Sequence, residues 1–184
     1  LFAERSMAKS ILGFSFPASW MQSVNALFII ALAPVFAWVW VKLGSREPSS
    51  PAKFALGLAG AGLGFVVLAV AASLAAGGTQ VSPMWLVSVY LLHTVGELCL
   101  SPVGLSAMTK LAPERVGGLL MGVWFLSIAV GNYLGGRVAS LYEALPLPSL
   151  FTAVGGFGIA AGLILALLVK PTQRLMAAAD PPQK

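Results

Sequence analysis

The sequence predicts an all-α membrane protein with five transmembrane helices. Of its 184 residues, 58% are hydrophobic and only 9% are charged, whereas soluble domains have about 25% charged residues. A helix needs about 20 apolar residues to cross the hydrocarbon core of a bilayer, and five apolar segments approach that length. Because these segments lack the alternating pattern of barrel strands, we expect each of them to form a helix.

The first two predicted spans lie at about 17–41 and 52–76. The first span carries Pro34 in its interior and ends with Trp38 and Trp40, which are typical of the membrane interface. The second span is rich in alanine and glycine and follows the longest polar connection, 45–53. Small residues four positions apart, such as Gly60 and Gly64, predict close contact between helices.

The other three spans lie at about 84–108, 117–141 and 148–169. The third follows an uncharged connection and contains Pro102, which removes a helical hydrogen bond and predicts a bend beyond Glu97. The fourth and fifth also carry glycine pairs at four-residue spacing. The chain therefore divides into a lead-in at 1–16, a five-helix unit at 17–170 and a tail at 171–184.

The basic residues predict the orientation of the five spans. With alternate sides assigned, eight basic residues fall on one side of the membrane and three on the other. By the positive-inside rule the richer side is cytoplasmic, so the lead-in is extracellular and the C-terminus cytoplasmic. Because five spans that start outside are unusual for a complete protein, we expect the chain to be a fragment of a longer one.

The composition argues against several classes of function. Cys99 is the only cysteine, so neither a disulfide framework nor a cysteine metal cluster is expected. The net charge of +5 comes from residues between apolar segments, which indicates lipid headgroups rather than nucleic acid. His93, Glu97 and Cys99 do not share one helix face, and no hydrolase, metalloprotease or phosphate-loop motif is present. We expect no metal and no enzymatic activity.

Glu97 is the strongest candidate for a functional residue. A charge at the bilayer centre costs about 2.5–3.5 kcal/mol, so Glu97 requires a cavity, a partner or a proton. Such a carboxylate can exchange a proton or bind a cationic group, or it can remain protonated in a structural role. His93 lies one turn earlier and can either help to move that proton or be an ordinary hydrogen-bonded group. Ser101 lies one turn later, next to Pro102.

Two further candidates lie deep in the first and fourth spans. Asn25 is about 12 Å inside the predicted start of its helix, where its amide needs a partner on another helix or on a ligand. Trp124 is about 10 Å inside its own helix, which is deeper than the interfacial belt. A tryptophan at this depth can form the wall of a pocket and face a cationic ligand group. Phe125, beside it, fits either a pocket wall or packing.

Several stretches together resemble one membrane transport family. They are FPASWMQSVNALFIIALAPVFAWVW (16–40) and GELCLSPVGLSAMTKLAPERVGGLLMGVWFLSIAVGNYLGG (96–136). They are similar to the proton-coupled oligopeptide transporter (POT/PTR) family of the major facilitator superfamily. The resemblance extends over nearly the whole chain and is weakest in the second helix, the last helix and the tail.

The resemblance implies that the five helices are helices 8–12 of a twelve-helix major facilitator fold. Members of the family couple inward proton movement to the uptake of di- and tripeptides by alternating access, with the ligand between two six-helix halves. The implied partners are a peptide, the lipid bilayer and the N-terminal half, with protons as coupling ion and no cofactor. The implied location is the plasma membrane, in a bacterium the inner membrane. The family's ExxERF-type proton motif is absent from this chain.

The resemblance also implies roles for individual residues. Glu97 matches the glutamate that binds the peptide's amino terminus and pairs with a lysine of the other half, and Asn25 matches the amide that helps to hold that terminus. Trp124 and Phe125 match aromatic residues that line side-chain pockets. The remaining candidates near these positions are Ser101 and Ser127 for substrate binding and His93 for proton coupling.

Two alternatives remain open at this point. The first is a transporter of the same fold for another substrate, such as an amino acid, nitrate or a drug. The second is a non-transporting membrane anchor or scaffold subunit, which predicts that Glu97 is packed against protein with no cavity beside it.

Overall fold

Five long helices form the protein. The computed structural model describes residues 2, 6–8, 10–11, 14–15, 17, 20–111 and 116–179. The helices are α1 (Trp20–Leu43), α2 (Ser50–Ala75), α3 (Pro83–Leu111), α4 (Gly117–Ala139) and α5 (Leu147–Ala179). Short 3-10 segments, Gly44–Arg46 and Ser140–Tyr142, follow α1 and α4, and two short strands, β1 (Ser10–Ile11) and β2 (Phe14–Ser15), pair antiparallel. Among these residues, five helices are long and apolar enough to cross a membrane, which confirms the predicted fold class.

The predicted span limits agree with the helices except at the end of α5. Both ends of α1 to α4 lie within three residues of the predictions. The fifth helix was expected to end at 169, but it continues through Pro171 to Ala179. Pro171 removes one helical hydrogen bond, yet the residues after it are mostly good helix formers. The Thr172 hydroxyl also donates to the Leu168 carbonyl over 2.8 Å.

The packing of α2 between α3 and α5 depends on glycine. A Cβ added to Gly62 would lie 2.7 Å from the Ile159 amide nitrogen of α5, and one added to Gly158 would lie 3.0 Å from Gly62 Cα. Backbones that approach this closely exclude side chains, as expected for helices that associate in lipid. By contrast, a Cβ on Gly118 or Gly122 of α4 would meet no described atom within 4 Å, so their predicted close contact is not seen in this part of the protein.

A hydrophobic cluster joins the lead-in to the bundle. It includes Phe2, Met7, Leu68, Val81 and Phe151. The Ala8 amide donates to the Val81 carbonyl, and the Val81 amide donates to the Ser6 carbonyl, both over 3.0 Å. Residues 6–8 therefore lie beside the α2–α3 connection, which is the end of the bundle where the charge pattern also places the lead-in.

Candidate functional site

Helix α3 has one face that is packed tightly against α2. A Cβ added to Gly96 would lie 2.7 Å from the Gly57 carbonyl oxygen of α2, and Leu100 also fills the space beside Gly57. We call Leu92, His93, Gly96 and Leu100 the packed face of α3. This face has no room for a ligand, so any site on α3 must use another side of the helix.

Glu97 lies outside the packed face and is exposed. Its carboxylate makes no hydrogen bond or ion pair with any residue that the structure describes. Ser101 is also exposed and follows one turn later, and Gly104 follows seven residues after Glu97, so the three residues form one stripe. We call Glu97 and Ser101 the open face of α3. Helix α3 is continuous through Pro102.

Trp124 closes one end of this stripe. Its indole lies directly over Gly104, where its Cζ3 atom is 2.6 Å from the place that a Cβ would occupy. Phe54 of α2 reaches the same place, with its Cζ atom 2.8 Å away. Trp124 is therefore half-buried between α3 and α2 and borders the open face. Trp124 thus lies about two turns along α3 from Glu97, at the end of the stripe that also carries Ser101.

Phe125 and Ser127, which follow Trp124, differ in how available their side chains are to a ligand. The Phe125 side chain is 59% exposed, so nothing among the described residues occupies most of its ring surface. The Ser127 hydroxyl donates to the Trp124 carbonyl over 2.7 Å. Its proton is therefore used within α4, and this hydroxyl is less available to a ligand than that of Ser101.

Asn25 makes a hydrogen bond between helices. The Thr94 hydroxyl of α3 donates to Asn25 Oδ1 of α1 over 2.6 Å, and the Thr94 side chain is fully buried. The predicted need for a partner on another helix is therefore met. A carbonyl oxygen has two lone pairs, so Oδ1 retains the capacity to accept a second hydrogen bond.

His93 turns toward α2 rather than toward Glu97. Its ring lies against Gly64 and 5.0 Å from the Phe65 ring centroid. The Nε2 atom is buried and has no hydrogen-bond partner among the described residues. The described residues include no hydrogen bond between His93 and Glu97, because the imidazole fills the space beside Gly64 in the interface between the helices.

A cavity of about 580 Å³ lies between α1, α2 and α3. Its lining includes Trp40, Lys53 and Pro102 but none of the predicted site residues. Lys53 is only 6% exposed, pairs with Glu47 and lies 4.3 Å over the Trp40 ring. Since its charge is already satisfied, we assign the cavity no binding role. The charge pattern places Lys53 among the eight basic residues of the predicted cytoplasmic side and does not indicate its pairing with Glu47.

Three residues at the site were not singled out from the sequence. Thr94 orders Asn25, and Gly104 and Phe54 together receive Trp124. Gly104 lies within the conspicuous stretch SPVGLS, which was a usable signal. Thr94 and Phe54 carry no such signal, because a threonine or a phenylalanine in an apolar helix is ordinary.

Comparison with known proteins identifies the family. The family model PTR2, described as the POT family, matches residues 1–154. The chain is 45% identical over 183 residues to the peptide transporter YePEPT of Yersinia enterocolitica, covering 96% of this chain and 36% of the relative. It is 37% identical over 166 residues to a di-/tripeptide transporter of Lactococcus lactis subsp. cremoris, covering 89% of this chain and 33% of that protein.

Solved structures agree with this result. A crystal structure of a peptide transporter POT in complex with sulfate matches with a TM-score of 0.88 and 46% identity, covering 95% of this chain and 35% of that one. The chain thus spans about a third of the length of the relatives it matches. Its helices and its relatives make it a multi-pass membrane protein, and the chain belongs to the POT family.

Proposed function

We propose that this chain is the C-terminal part of a proton-coupled symporter that imports di- and tripeptides by alternating access. The observation that carries the proposal is the carboxylate of Glu97, which is exposed on the open face and has no hydrogen-bond or ion-pair partner in the described part of the chain. An unpaired charge inside a membrane protein is costly and is characteristic of ion and substrate pathways. The relatives named as peptide transporters support a peptide as the substrate.

In the proposed mechanism, Glu97 alternates between two cationic partners. In the loaded state its carboxylate binds the ammonium group of the peptide, and in the empty state it pairs with a cation of the N-terminal six-helix half. Arrival of a proton shifts this balance and favours rocking of the two halves. The ligand affects the equilibrium only because the two conformations bind it with different affinities.

The other site residues orient the peptide. Asn25, held by Thr94, offers the second lone pair of Oδ1 to the same ammonium group. Trp124 and Phe125 form walls for peptide side chains, and Ser101 offers a hydroxyl next to Glu97. We leave Ser127 out of the direct contacts because its hydroxyl is bonded to the Trp124 carbonyl.

The coupling ion is the proton in this proposal, with no further cofactor. Among the described residues the buried Nε2 of His93 has no hydrogen-bond partner, and we give His93 a secondary place in proton coupling, after Glu97. The protein acts in the plasma membrane, in a bacterium the inner membrane, with its C-terminus in the cytoplasm. The excess of basic residues on that side supports this orientation.

The relatives that are named as peptide transporters weigh against the scaffold alternative. A transporter of the same fold with another substrate remains the closest competitor and is separated by experiment.

The proposal is tested by uptake of a labelled dipeptide. The full-length transporter that contains this chain is reconstituted in proteoliposomes, and an inward proton gradient is imposed. We expect proton-driven accumulation that excess unlabelled di- or tripeptide abolishes and that nitrate or single amino acids leave intact. Competition by nitrate or by an amino acid, but not by peptides, identifies the other substrate class instead.

Glu97→Gln tests the assigned residue in the same assay. Loss of its charge is expected to reduce proton-driven uptake by about tenfold or more, since hydrogen bonds to charged groups contribute about 1.5–3 kcal/mol. Ser88→Ala, an exposed residue of α3 whose hydroxyl donates to the Met84 carbonyl within the same helix, serves as the control and retains uptake. Unchanged uptake by Glu97→Gln refutes the proposed role of this carboxylate.

A further inference from the structure

Gly104 leaves a gap in α3 that the indole of Trp124 fills. The Cζ3 and Cη2 atoms of Trp124 occupy the place where any side chain at position 104 would begin. The contact is formed by a ring and not by another backbone, which distinguishes Gly104 from Gly96 on the packed face. Replacement of Gly104 must therefore displace an aromatic side chain rather than separate two helices.

Phe54 limits the direction in which the indole can move. Its Cζ atom lies 2.8 Å from the same place, so a methyl group at 104 would meet both rings. Phe54 belongs to α2, which is held close to α3 by Gly57 and Gly60. Because α2 closes this side, we expect the indole to yield away from both α2 and α3.

The distance of Gly104 from Glu97 suggests that the gap at Gly104 affects which substrate sizes fit. Gly104 lies seven residues beyond Glu97 on one stripe of α3, which corresponds to about 10 Å along the axis. A peptide whose ammonium group lies at Glu97 can reach Trp124 over that distance with a side chain or with its second residue. Movement of the indole away from α3 therefore takes space from the ligand.

We propose that Gly104 is a positioning residue that sets, through Trp124, how large a peptide side chain the transporter accepts. The inference rests on the proposed peptide transport. Gly104 makes no contact with the substrate itself; its lack of a side chain allows the indole to lie against α3, and Phe54 fixes the indole there.

The test compares a bulky dipeptide, phenylalanyl-phenylalanine, with dialanine in the full-length transporter. Gly104→Ala is expected to lower the ratio of bulky to small dipeptide uptake by about tenfold, because the loss or gain of one methylene in a pocket changes discrimination by about 10–200-fold. The ratio is independent of the amount of folded protein. Gly122→Ala, a glycine of α4 whose added Cβ meets no described atom within 4 Å, leaves the ratio unchanged.

A second-site change tests whether the effect passes through the rings. Phe54→Leu removes part of a ring from the place beside Gly104, so Phe54→Leu combined with Gly104→Ala restores the ratio. Equal loss of both dipeptides in Gly104→Ala, with no rescue, indicates a general packing defect and overturns the inference. A ratio that does not change at all also overturns it.

A fluorescence measurement keeps the inference testable without transport. Acrylamide quenching of Trp124, obtained as the difference between each protein and its Trp124→Phe counterpart, increases in Gly104→Ala if the indole leaves its place against α3. Equal quenching with glycine or alanine at 104 overturns the inference. If the wild-type protein takes up neither dipeptide, the proposed function fails, while this measurement still decides the position of the indole.

Discussion

The two faces of α3 place opposite demands on adjacent residues. On the packed face, Gly96 lies so close to α2 that a Cβ would be 2.7 Å from the Gly57 carbonyl oxygen. On the open face, the next residue is Glu97, an exposed carboxylate without a hydrogen-bond partner among the described residues. The packed face therefore holds α3 against α2, and the open face presents a charge to a partner outside the five helices. Substitutions on the two faces should have effects that can be separated.

The largest expected effect is on stability and belongs to the packed face. Gly96→Ala forces α2 and α3 apart, and overpacking of this kind costs about 1–3 kcal/mol. We expect a lower melting temperature in detergent and a proportional loss of all uptake, with no change in peptide preference. Gly156→Ala, a glycine of α5 with no described atom within 4 Å of an added Cβ, is the matched control. A melting temperature equal to that of the control means that the tight contact is not required.

Trp124→Ala tests the border of the open face. It removes the ring that fills the place beside Gly104, and with it the aromatic wall proposed for peptide side chains. We expect binding of bulky dipeptides to weaken by about tenfold, since removal of a stacked aromatic costs about 0.5–1.5 kcal/mol beyond the buried area, while dialanine is affected little. Isothermal titration with both dipeptides measures this difference. Equal weakening of both ligands indicates that Trp124 serves packing alone.

Thr94→Val tests the hydrogen bond between α3 and Asn25 of α1. The change keeps the shape of the side chain but removes the hydroxyl that donates to Asn25 Oδ1. Such hydrogen bonds between membrane helices contribute about 0.6 kcal/mol, and about 1.7 at most. We expect a small fall in the melting temperature and a few-fold loss of dipeptide affinity as Asn25 loses its orientation. Thr152→Val, in which the lost hydroxyl bonds only within α5, should show no loss of affinity.

The smallest effect is expected for Ser127→Ala. Its hydroxyl donates to the carbonyl of Trp124 in the same helix, and alanine maintains that helix equally well. We expect dipeptide uptake to remain within about twofold of wild type, because this hydroxyl bonds within α4 and not to the ligand. A tenfold loss of uptake with unchanged stability shows that Ser127 contacts the substrate directly.

The features predicted most accurately from the sequence are those that the lipid bilayer determines. The bilayer selects apolar runs of one length, so the limits of α1 to α4 were predicted to within three residues. The end of α5 was missed because the predicted span follows the apolar run, which stops at 169, whereas the helix continues through Pro171 into good helix formers. The cost of burying charge singled out Glu97, whose role in the site stays a prediction.

Features that depend on which helices meet could not be predicted. The orientation of His93 depends on the space that Gly64 leaves in a different helix, and the partner of Asn25 is a residue 69 positions away. The residue pattern of a single helix indicates neither the orientation of His93 nor the partner of Asn25. The link between Gly104 and Trp124 is of the same kind, because it appears only once α3 and α4 are brought together.

The central claim is that Glu97 binds the amino terminus of a peptide. It is tested most directly by removing first the ammonium charge of the peptide and then the carboxylate charge of Glu97. Affinities for dialanine and N-acetyl-dialanine are measured with the wild-type transporter and with Glu97→Gln. We predict that the wild type prefers the free amine by about 10–100-fold, as expected for a charged hydrogen bond of about 1.5–3 kcal/mol, and that the variant shows almost no preference. An equal preference in both proteins would contradict the account.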